Sequence, residues 1–179
     1  MDVFVEQLVR RRITAKDMFL SIIYVVLAIA LFFFLVFLMP VMFGEITSLP
    51  GAILGLAVIY GAYYIISNMS IEYEYIVTNG EIDVDKVIAK RKRKRLVTAN
   101  ARTFEVFGVY NASEHIDKEY SCRIFACEGE ADSSCHYAIF SHAKLGKTLL
   151  VFSPDNRTIE ALKKFIPVKA IDALNEETL

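Results

Sequence analysis

The chain has 179 residues, 55% of them hydrophobic, a mean hydropathy of +0.40 and a formal net charge of −1. This is too apolar for an ordinary soluble domain, and the near-zero balance excludes a nucleic-acid polycation or an acidic buffer protein. The apolar excess sits at one end: residues 1–71 are dominated by uncharged runs, whereas 72–179 have globular composition and enough length for one domain of roughly 100 residues.

Residues 1–17 are expected to form an amphipathic, basic segment flanking a membrane. Phe4 and Leu8, and Val5 and Val9, are spaced four apart, which suggests a short helix with one apolar stripe ahead of Arg10, Arg11 and Arg12. Thr14-Ala15-Lys16-Asp17 matches a capping box, so a helix should start there.

Met18–Phe43 contains no charged residue in 26 positions. As a helix rising about 1.5 Å per residue it would exceed the ~30 Å hydrocarbon core, and the first transmembrane helix is placed at 18–43. It is too long for the apolar core of a signal peptide. Pro40 is expected to kink or end it. After a connection over Gly44–Ser48, a second uncharged run gives a transmembrane helix at 49–70. Gly51, Gly55 and Ala62 lie on one face of it, and small residues at such spacing allow close helix packing. The favoured reading is packing within the hairpin; dimerisation between chains is the other. Tyr60, Tyr63, Tyr64 and Tyr73 cluster at the exit like an interfacial belt. Lys and Arg flank the two runs on the outside and are absent between them, so both termini are expected in the cytoplasm of a bacterial inner membrane. On that side the sequons at Asn68, Asn111 and Asn156 are chance matches.

From Tyr73 the period changes to two. Asn79-Gly80 predicts a type I′ hairpin. A two-residue turn sets Thr78 opposite Glu81, Val77 opposite Ile82, Tyr75 opposite Val84 and Tyr73 opposite Lys86. Tyr73, Tyr75, Val77, Ile82, Val84 and Ile88 then form a core face, and Glu72, Glu74, Asp83 and Asp85 the other. Glu74 opposite Asp85 is destabilising and calls for a basic neighbour, with the next strand as its source. Further strands are predicted over 103–110, 120–127, 136–142 and 147–152, with polar loops at 111–119 and 128–134. Ser153-Pro154-Asp155 should open a helix with Ser153 at its cap, and Pro167 should close it. The domain so defined spans 71–167, an all-β domain of about seven strands with a C-terminal capping helix; 168–179 is a polar tail.

The basic run Lys90, Arg91, Lys92, Arg93, Lys94, Arg95 is the candidate binding site. Three readings apply: alternate residues neutralise Glu74, Asp83 and Asp85; the run meets anionic lipid headgroups; or it meets a protein partner. Nucleic acid is disfavoured, because aromatics are not interleaved and the rest of the domain is acidic. Cys122, Cys127 and Cys135, with His136 and His142, lack zinc spacing, so no metal and no cofactor are expected. His115, His136 and His142 are the only neutral-pH bases, and no catalytic motif accompanies them, so no enzyme activity is expected.

The opening MDVFVEQLV, the run YEYIVTNGEIDVDKVIAKRKRKRL and the ending GKTLLVFSP…IEALKKFIP resemble an uncharacterised bacterial family of small two-span membrane proteins with a cytoplasmic PH-like domain. The resemblance implies a PH-like domain fused to a transmembrane hairpin. It implies no activity, substrate or catalytic residue, and a PH-like shape does not bring phosphoinositide binding with it. The expectation is a membrane-anchored binding or scaffold protein, the bilayer being its first partner and a homodimer or a membrane protein a further one. The alternative is an accessory subunit of a membrane transporter or envelope enzyme complex.

Overall fold

The computed structural model describes residues 2–112, 119–129 and 135–171. His115, parts of the loops predicted at 111–119 and 128–134, and the tail from 172 lie outside the described residues. The chain forms two compact units: Ile13–Ser70, and Met1–Arg12 joined with Ile71–Leu179.

The first unit is helical. Helix α1 (Ala15–Phe33) begins at the predicted capping box, where Thr14 Oγ1 accepts the Asp17 amide and the Asp17 carboxylate accepts the Thr14 amide, each at 3.3 Å. The helix does not end at Pro40. It passes through a π turn (Phe34–Leu38), where the Met39 amide reaches back to the Phe34 carbonyl, and continues as α2 (Met39–Phe43). The reason is local: Pro40 donates no hydrogen bond and its ring crowds the carbonyl four residues earlier, and a widened turn relieves both problems. After Gly44 and a 3₁₀ turn (Glu45–Thr47), α3 (Ser48–Asn68) runs through the second apolar stretch. Two helical segments, Ala15–Phe43 and Glu45–Asn68, are long and apolar enough to cross a membrane, and most of their large side chains are exposed.

Gly51 and Gly55 are the two buried residues of α3. A Cβ on Gly51 would lie 2.2 Å from the Leu35 carbonyl oxygen, and one on Gly55 would lie 2.9 Å from the Phe32 ring. The glycine face thus packs against the preceding helix. Ala62, on the same stripe, is half-buried.

The second unit is a two-sheet domain. Its first strand, β1 (Phe4–Arg10), corrects the amphipathic helix expected for the N-terminal segment. A spacing of four is an even number, so it fits a strand as well as a helix. Val5 and Val9 face inward, and Phe4 and Leu8 face outward from an edge strand. The strands β2 (Ile71–Thr78), β3 (Glu81–Ile88) and β4 (Lys92–Asn100) follow, and the first sheet has the order β1-β2-β3-β4, antiparallel throughout. The β2–β3 hairpin has the register predicted from Asn79-Gly80, with positive φ at both residues (50° and 89°). The second sheet contains β5 (Phe104–Val109), β6 (Cys122–Ala126), β7 (His136–His142) and β8 (Gly146–Phe152), in the order β5-β7-β8-β6, with β6 parallel to β8. The count is eight strands, not seven, because β1 was read as a helix.

Helix α4 (Asn156–Lys163) follows. Its cap is Asp155 rather than Ser153: Asp155 Oδ1 accepts the Thr158 amide at 2.8 Å. Ser153, just past the end of β8, is buried. Gln7 of β1 ties these parts together. Its Nε2 donates to the Ser153 carbonyl at 3.0 Å, and its Oε1 accepts the Asp155 amide at 2.8 Å and the Thr158 hydroxyl at 2.9 Å. One core joins both sheets and α4 through Tyr75, Val84, Phe107, Phe140, Phe152 and Leu162. Beyond Pro167 the chain turns helical over 168–171 and buries Ala170, so the tail starts later than the predicted boundary at 168.

Candidate lipid- or partner-facing site

Four residues of the basic run, Lys92, Arg93, Lys94 and Arg95, open β4 itself. The β3–β4 connection is the three residues Ala89, Lys90 and Arg91, with φ of 53° and 55° at the first two, closed by the Arg91 amide on the Ile88 carbonyl at 3.0 Å. Neither residue favours positive φ, so no turn signal marks the position.

A register shift then decides which side each basic residue takes. Val84 pairs with Val97, yet Asp85 pairs with Arg95, so Leu96 is an extra residue in β4. Such a bulge reverses the alternation beyond it. Leu96 and Val97 both pack toward the core, and Arg95 and Arg93 turn to the acidic face. Without the bulge the lysines would take that face.

The acidic face needs those arginines. Glu74 and Asp85 are each 3% exposed and directly opposite one another, with Glu72 beside them. Arg93 Nη2 lies 2.9 Å from both Glu74 oxygens; one contact has hydrogen-bond geometry and the other is an ion contact alone. Arg95 pairs with Asp85 through Nε and with Asp83 at 2.7 Å, and donates to Thr98 Oγ1 at 3.1 Å. The planar guanidinium fork suits this double duty better than an ammonium would. Burial pushes the Glu74 carboxyl above its ordinary pKa. Arg93 pulls it down, while Glu6 and Asp85 push it further up. Arg10 approaches Glu72 at 4.0 Å.

The lysines take the other side. Lys86 is directly opposite Tyr73 on β2 and Lys94 on β4, and Lys92 is opposite Ile88. Lys90, Lys92 and Lys94 are exposed and Lys86 is half-buried. Among the described residues no carboxylate lies within ion-pair distance of any of the four. The structure thus divides the run: Arg93 and Arg95 are held by acids, Arg91 sits at the end of the turn, and the lysines face away. Lys86 belongs with them. The hairpin register already placed it opposite Tyr73, although the charge run itself begins four residues later.

Several of the remaining candidate groups have structural partners. Cys135 Sγ lies 3.4 Å from Ser153 Oγ, and Cys127 is buried beside it. A hydrogen bond to Cys135 and burial push the Cys127 thiol far up. Cys122 is half-buried. The Tyr75 hydroxyl donates to the Ala126 carbonyl and accepts the Ser153 amide at 3.2 Å. His142 Nδ1 accepts the amides of Lys144 and Leu145 at 3.2 Å, fastening the β7–β8 turn. Among the described residues no group of three or more His, Cys, Asp or Glu could hold a metal ion.

No curated protein and no solved structure matches the chain. One protein family does, over residues 1–172, a span that includes β1, both long helices and the whole two-sheet domain. The chain belongs to the family described as Bacterial PH-like domain (DUF6106).

Proposed function

We propose that the protein is a non-catalytic, membrane-anchored binding or scaffold module. Two spanning helices hold its PH-like domain at the cytoplasmic face of a cell membrane, where the basic hairpin meets anionic lipid. One observation carries the reading: the place where the helices interrupt the domain. β1 precedes both helices, β2 follows both, and the two strands pair along seven positions from Phe4–Thr78 to Arg10–Glu72. A sheet cannot be laced through a bilayer, because its ladder needs continuous backbone pairing. A segment that leaves from β1 and returns to β2 therefore crosses an even number of times, and two apolar helices supply two crossings. Arg10, Arg11, Arg12 and Lys16 before the first helix and Lys86 onward after the second support the cytoplasmic side. What the reactive groups do supports the non-catalytic part: the Cys127 thiol is buried and His142 is engaged in a turn.

The test is a topology measurement on the full chain in bacterial cells. The expected result is that alkaline carbonate leaves the protein in the membrane fraction, and that tags at both termini are shielded from protease added to intact spheroplasts. Release by carbonate, or cleavage of either tag, would overturn the reading.

A further inference from the structure

We infer that Lys86, Lys92 and Lys94, with Lys90 at the turn, form an edge that rests on the anionic phospholipid headgroups of the bilayer carrying the two helices, while Arg93 and Arg95 remain in the sheet's own ion pairs. This rests on the membrane anchoring proposed above.

The first ground is uncompensated charge. Lys86 and Lys94 are directly opposed across β3 and β4, a like-charge arrangement that destabilises a sheet. Lys92 extends the cluster along the same side of β4. No carboxylate among the described residues answers them, although the opposite side of the same strands is rich in acid. The fold directs arginines to its own carboxylates by means of the Leu96 bulge and leaves the lysines for an anion from outside. The division fits the side chains: a guanidinium fork matches a fixed carboxylate, whereas hydrated ammonium groups respond to the charge density of a headgroup layer.

The second ground is position. Ile88, the last residue before the turn, pairs with Ile71, the first residue after the helical unit. The Arg11 amide donates to the Ile71 carbonyl at 3.0 Å, and Arg12 leads into that unit. Both covalent connections to the helices therefore leave from the end of the first sheet that carries the lysines. At about 3.3 Å per residue, Lys86 is roughly 7 Å from that end of its strand. The opposite end is occupied differently: the Phe165 ring lies against Gly80 of the β2–β3 turn, close in sequence to Lys163 and Lys164. Those two lysines mark the far end of the sheet and serve as an internal reference.

The test uses the full chain in nanodiscs of phosphatidylcholine alone and of phosphatidylcholine mixed with phosphatidylglycerol. A water-soluble amine-acylating reagent is added and each lysine is followed by mass spectrometry. In the anionic discs, acylation of Lys86, Lys92 and Lys94 should slow by about fivefold, while Lys163 and Lys164 are unchanged and high salt removes the difference. Hydrogen exchange at the 89–91 turn should slow in parallel. The triple variant Lys86→Gln, Lys92→Gln, Lys94→Gln should lose that slowing without a lower melting temperature. Equal rates in the two discs would overturn the inference while leaving the anchoring intact. Failure of the chain to enter discs at all would remove the anchoring and, with it, this inference.

Discussion

At the scale of single residues, two carboxylates pull the domain's pH dependence in opposite directions. Burial raises Glu74 above its unfolded pKa, so its contribution to stability is fully present below the unfolded pKa and is lost as pH rises through the folded one. Arg93 limits that loss. Arg93→Gln should therefore destabilise the protein at neutral pH by about 1–2 kcal/mol, less than a fully buried pair would show because Arg93 is itself more than half exposed. The effect should shrink as pH is lowered and Glu74 takes up a proton, and adding Glu74→Gln should largely cancel it. Denaturant melts across pH test this; a pH-independent loss would mean that Arg93 acts by packing instead. Asp155 has the other sign. Burial would raise its pKa, but hydrogen bonds from Thr158 and the nearby Arg157 outweigh burial and lower it. Its contribution is present above the unfolded pKa and is lost as pH falls through the folded one. Asp155→Ala should cost about 1 kcal/mol, and Asp155→Asn much less while removing the acid-side slope.

At the scale of elements, the β3–β4 turn and the α3 glycines offer paired tests. Ala89 and Lys90 adopt a conformation that Asn and Gly adopt more readily, so Ala89→Asn with Lys90→Gly should stabilise the hairpin by about 1 kcal/mol. An unchanged melting temperature would argue against the positive φ angles. In α3, Gly51→Ala places a methyl group against the Leu35 carbonyl and should lower the melting temperature in detergent. Gly61→Ala meets nothing within 4 Å and should be neutral or stabilising. These elements also show what was legible beforehand. Asn79-Gly80 announces its turn and thereby the whole β2–β3 register, including the acid pair at Glu74 and Asp85. The next turn has no such residues, and the Leu96 bulge has no mark in the sequence. The demand for a basic neighbour was readable, but the rule that arginines answer it and lysines do not was not. The strand β1 was missed because its apolar spacing of four satisfies two periodicities at once.

At the scale of the whole molecule, the domain is a discontinuous unit: Met1–Arg12 belongs with Ile71–Leu179. A fragment beginning at Ile71 lacks the partner of β2 and the Gln7 bonds to Ser153, Asp155 and Thr158. It should be recovered as aggregate or in partly folded form. Joining Arg12 to Ile71 through a short Gly/Ser linker should restore a soluble, cooperatively melting domain, because the Arg11 amide already bonds to the Ile71 carbonyl and the connection is a hairpin in all but sequence. Equal behaviour of the two fragments, judged by size exclusion and thermal melting, would show that β1 adds little.

The same interruption sets a calendar for biosynthesis. β1 leaves the ribosome before the helices and then waits, with Val5 and Val9 uncovered, until residues 13–70 have been made and a strand that can receive it appears. Closing so long a loop costs more entropy than closing a two-residue turn, and the cost falls if the two helices first find each other through Gly51 and Gly55. On the topology proposed above, a chain with only one helix inserted would strand β1 across the bilayer from β2, leaving β2 an open edge and α4 without Gln7 at its cap. On that proposed topology, a finished first sheet is a receipt for correct insertion.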